Sequence, residues 1–83
     1  MTRTWLQEAA GRLAEAGGLD PAGLAVDEAT VSALLDLARV AAHDSGDRTN
    51  APLATYLVGL AAGRGAGAAT VLAPAAAGEK EST

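Results

Sequence analysis

The sequence predicts an all-α protein: a small three-helix bundle with a disordered C-terminal tail. Three observations lead there. Apolar residues recur at helical spacing in three segments, short runs of Gly, Pro and Asp separate those segments, and the last part of the chain loses both patterns. The expected organisation is one three-helix domain over residues 1–65, with helices over about residues 4–16, 27–45 and 51–63. An Ala/Gly-rich and mostly disordered tail follows over residues 66–83.

In the first segment Trp5, Leu6, Ala9, Leu13 and Ala16 share one face, while Gln7, Glu8, Arg12 and Glu15 occupy the other. Thr4 and Gln7 have the spacing of a capping box, and Gly17-Gly18 supplies the left-handed backbone that ends a helix. A turn at Asp20-Pro21-Ala22-Gly23 follows, with Leu19, Leu24 and Val26 expected to tuck under the bundle. Asp27 is a favourable N-cap for the second helix, and Glu28 suits the positive end of its dipole. Val31, Leu34, Leu35, Leu37, Ala38, Ala41 and Ala42 form a wide apolar arc, and Gly46 ends the helix. Asn50 is placed to cap the third helix, with Pro52 in its first turn, where a missing N–H does no harm. Leu53, Tyr56, Leu57 and Leu60 are expected to be its core face. Beyond Gly63 the chain is mostly Ala, Gly and Thr, and an isolated short helix of that composition is marginal.

Composition excludes several functions. A chain of 83 residues is one small domain, and such a domain buries only about 60% of its unfolded surface. With no Cys and a single His, neither a disulfide framework nor a thiolate or multi-histidine metal site is available, so no metal is expected. A partner is then the natural source of additional stability. A net charge of −4, one Trp, one Tyr and no Phe argue against nucleic acid, which needs cationic residues for phosphates and rings for bases. The longest uncharged stretch, Thr49 to Gly63, is too short to cross a bilayer, and no signal-peptide pattern precedes it, so a cytoplasmic protein without membrane contact is expected.

Two groups of residues stand out. In the third helix Thr55, Val58, Gly59 and Ala62 lie opposite the expected core face, where a surface helix ordinarily carries charge. They read either as the second buried side of a central helix or as an interface with another copy or another protein. Asp36, Arg39 and His43 cluster on the second helix opposite its apolar arc, with Arg48 in the loop beyond. That edge is either a solvated face with an ordinary ion pair or a site for a partner or ligand. No nucleophile–base pair or paired carboxylates are evident, so no catalytic residue and no enzyme are expected, and no cofactor is implied.

The blocks Trp5-Leu6, Leu34-Leu35-Asp36-Leu37-Ala38-Arg39-Val40-Ala41-Ala42-His43 and Ala51-Pro52-Leu53-Ala54-Thr55-Tyr56-Leu57-Val58-Gly59-Leu60-Ala61-Ala62-Gly63 together resemble a family of small actinobacterial helical domains of unknown function. Members occur alone or joined to proteins resembling molybdenum-cofactor guanylyltransferases. The resemblance spans about residues 4–63. It departs at Arg48-Thr49-Asn50, where the family tends to carry Arg-Pro. It implies an accessory role in molybdopterin-guanine dinucleotide biosynthesis, with such a transferase as partner. Two alternatives stand beside it: a binder of a small anionic ligand through His43, Arg39 and Arg48, and a structural homodimer.

Overall fold

A computed structural model describes residues 2–78, which form four α-helices and one 3-10 turn. Helix α1 spans Thr2–Gly17, the 3-10 turn Pro21–Leu24, α2 Glu28–Ser45, α3 Asn50–Gly63 and α4 Ala69–Ala76. The turn chemistry sets most of these boundaries. Gly18 takes φ 67° and lets the Leu19 N–H return to the Ala14 carbonyl at 2.8 Å, which closes α1. The Asp20 carboxylate accepts from the Ala22 N–H at 3.0 Å and fixes the 3-10 turn. Asp27 caps α2 by accepting from the Thr30 N–H at 2.8 Å, and Gly46 ends that helix at φ 73°. Two expected caps are displaced. α1 begins at Thr2, so Thr4 is an interior residue, and α3 already includes Asn50, whose side chain turns back toward Ser45.

The core is a meeting of three helices. Leu37 of α2, Val58 of α3 and Ala73 of α4 are 2%, 3% and 1% exposed and touch one another. Ala33, Leu34, Ala54, Ala69, Leu72 and Ala77 pack around them. The expected disordered tail is therefore corrected over residues 69–76, and residues 79–83 lie outside those described. A helix of 8 residues has little stability alone, but here its buried face rests on both α2 and α3. Pro74 sits inside it, where the missing N–H leaves the Thr70 carbonyl without its helical partner.

The bundle is thus α2, α3 and α4, and the expected three-helix arrangement counted the wrong third member. The α1 backbone approaches only the 3-10 turn, and Ala14 is its one fully buried side chain among those described. Leu19 and Val26 remain exposed and only Leu24 is half-buried, so the linker does not tuck beneath the bundle as expected.

A second correction concerns α3. Leu53, Tyr56, Leu57 and Leu60, the expected core face, point outward, with Tyr56 65% and Leu57 61% exposed. The inward face carries Ala51, Ala54, Thr55, Val58, Ala61 and Ala62. The physical reason is distance between helix axes. Leucines from α2 and α4 already occupy the centre, and short side chains on α3 let its axis come close enough to close the packing around them.

Deleting residues 68–83 uncovers Leu37 and Val58. The expected outcome is loss of a cooperative thermal transition by circular dichroism, whereas a dispensable tail would leave the melt unchanged. In the full chain, Leu37→Ala lowers unfolding free energy by about 2–5 kcal/mol in urea titration. That is a large part of the total for a domain this small.

Candidate interaction surface

The polar residues singled out in the sequence are only partly gathered by the fold. Asp36 and Arg39, both exposed on α2, share a shallow cavity of about 220 Å³ whose far wall is Ala73, Pro74 and Ala77 of α4. His43 stands at the end of α2 with its Nδ1 3.2 Å from the carboxylate of its neighbour Asp44. Arg48 projects from the loop, and neither it nor His43 lines the cavity of Asp36 and Arg39. No cluster of three metal-holding side chains occurs among the described residues.

The small-residue face of α3 is covered except at Gly59. Val58 is in the core, and Thr55 and Ala62 are half-buried beside it. The Thr55 hydroxyl donates to the Pro52 carbonyl at 2.9 Å. Gly59 faces open space, and no backbone approaches it or Gly63.

The loop between α2 and α3 is clasped from within. Ser45 donates its hydroxyl proton to the Ala41 carbonyl at 2.6 Å and accepts from the Asp47 N–H at 3.2 Å and the Asn50 side-chain amide at 3.0 Å. Asp47 accepts from the Thr49 hydroxyl at 2.6 Å and its N–H at 3.0 Å. These two bonds, the hydroxyl first, hold the Asp47 carboxyl below its ordinary pKa. Thr30 does the same for Asp27 at the start of α2.

The surfaces that sequence reasoning missed are apolar. One is a groove of about 400 Å³ between α1 and the α2–α3 pair. Leu6 and Val26 form one wall, Val31, Leu34 and Leu35 the floor, and Pro52 and Thr55 the rim. Leu6 and Val26 also border a second hollow of about 330 Å³ against the 3-10 turn, so the trough continues along α1. The other is the outer face of α3, with Leu53, Tyr56, Leu57 and Leu60 in helical register. Trp5 is exposed as well, held on α1 by the Arg12 guanidinium 5.6 Å from its ring centre. A sequence signal for this existed in the doublets Leu34-Leu35 and Tyr56-Leu57. Adjacent large residues on a helix widen the apolar arc beyond what one neighbour covers.

No described helix is long and apolar enough to cross a membrane. A family model described as a domain of unknown function (DUF6457) matches residues 1–82. No curated protein and no solved structure matches the chain.

Acid will loosen the two turns. A carboxyl whose folded pKa lies below its ordinary value of 3.8 stabilises the fold above that value and loses this contribution as pH falls through the lowered one. Thermal melts of the wild type should therefore drop below pH 3.8, and Asp27→Asn/Asp47→Asn should flatten that limb. Parallel curves for the two proteins would show that these turns do not govern acid stability.

Proposed function

The chain belongs to the DUF6457 family of domains of unknown function, and we propose that it acts as a non-catalytic docking module holding a partner protein in the groove between α1 and the α2–α3 pair. The observation that carries this reading is the groove itself: a cavity of about 400 Å³ walled by Leu6, Val26, Val31, Leu34 and Leu35. Its apolar lining suits the apolar anchors of an amphipathic helix, which binds by side chains spaced one turn apart.

The chemistry of the lining favours a protein over a small ligand. A small-ligand pocket fixes its guest with a few converging polar groups. Here the one side-chain hydroxyl at the rim, on Thr55, already donates to Pro52. An anionic guest would need cations, and the lining contains none. Asp36 and Arg39 open onto a different hollow, and His43 and Arg48 line neither.

The likeness of residues 4–63 to domains joined to molybdenum-cofactor guanylyltransferases supports a transferase of that kind as the partner. On this reading the module serves molybdopterin-guanine dinucleotide biosynthesis in the cytoplasm, carries no catalytic residue and takes no cofactor.

The test is retention of a purified actinobacterial guanylyltransferase on the immobilised domain. Leu35 is exposed, so Leu35→Glu leaves the core intact while placing a carboxylate in the groove. Wild type should retain the transferase and Leu35→Glu should weaken binding at least about tenfold. Equal retention by both overturns the groove, and calorimetric binding of a guanine nucleotide or molybdopterin without the transferase overturns the docking reading.

A further inference from the structure

We propose that the outer face of α3 is covered by the same face of a second copy of this chain, packed antiparallel about Tyr56 and Leu57. The pairing uses the side of α3 away from the groove and does not rest on the docking reading. Three features point to it.

The first is the distribution of side-chain size. α3 turns its Ala and Val residues inward and leaves Leu53, Tyr56, Leu57 and Leu60 in water. Those four fall at positions i, i+3, i+4 and i+7, the stripe by which one helix seats against another.

The second is exposure. Leu53, Tyr56, Leu57 and Leu60 are 59%, 65%, 61% and 39% exposed, so the stripe is an open apolar patch of the kind that marks an association site.

The third is charge. Each copy carries a net charge of −4, so most faces of two copies repel. α3 has no charged residue between Asn50 and Gly63, which lets two copies meet there without burying like charges. Its ends choose the direction. Asp44 and Asp47 outweigh Arg48 before the helix, and Arg64 follows it. Asp47 and Arg64 stand at nearly equal distances in sequence on either side of Tyr56. An antiparallel crossing at Tyr56 therefore carries each Arg64 toward the second copy's Asp47, and opposes the two helix dipoles favourably. A parallel crossing would bring like charges together at both ends. Such a two-fold contact is self-complementary and closes at two copies.

The absence of native cysteine makes the test direct. Sedimentation equilibrium of the wild type across the micromolar range should give twice the 8.1 kDa chain mass. Leu57→Glu should give the single mass with an unchanged helical circular dichroism signal, because Leu57 is outside the core. Under mild oxidation Leu57→Cys, at the crossing point, should form a disulfide-linked dimer. Ser32→Cys, exposed on α2, should not. A wild type that stays at the single mass overturns the pairing, as does a Leu57→Glu variant that still dimerises, or equal cross-linking by the two cysteine variants. The outcomes separate cleanly from those of the groove. A monomer that retains the transferase overturns the pairing alone, and a dimer that ignores it overturns the docking alone.

Discussion

The contact among Leu37, Val58 and Ala73 holds this fold together, and the rest of the molecule is arranged around its small volume. It joins the three helices of the bundle at one point, and two of its three members are short. A core built on alanine and valine brings helix axes close but buries little apolar area per residue. Its hydrophobic stabilisation is correspondingly modest, because that term scales with area removed from water. The larger side chains cannot enter a space already closed by small ones. They are left on the outside, and the same packing that makes the core tight makes the surface apolar.

That exclusion explains why the two unassigned surfaces share a helix. α3 lies between the groove and the outer face, and its only polar side-chain contacts run locally, from Thr55 to Pro52 and from Asn50 to Ser45. A helix without charges has no strong preference for water on any side. What fixes its rotation is the size of the residues on each face, not their polarity.

Much of the fold was legible in the sequence because it depends on local chemistry. Asp27, Gly46 and Gly18 act where their residue types require, and the extent of α2 and the end of α1 follow from them. The parts that were not legible depend on which helix meets which. Nothing local in Ala69–Ala76 distinguishes a frayed peptide from a buried helix, since its stability comes from α2 and α3 rather than from its own propensity. The rotation of α3 is illegible for the same reason: only contact with α4 and α2 turns its small residues inward, and without that contact its larger residues are the natural core. Of the candidate site, Asp36 and Arg39 line one hollow, as two residues three apart on a helix can, while His43 and Arg48 lie outside it, because their approach depends on a loop path that residue spacing does not specify.

α1 has a different standing from the other helices. Among the described residues its backbone approaches the 3-10 turn alone, and its Leu6 side chain lines the groove. On the docking reading a guest seated against Leu6 would supply the contacts that α1 lacks, and slower amide exchange along α1 would then report occupancy of the groove.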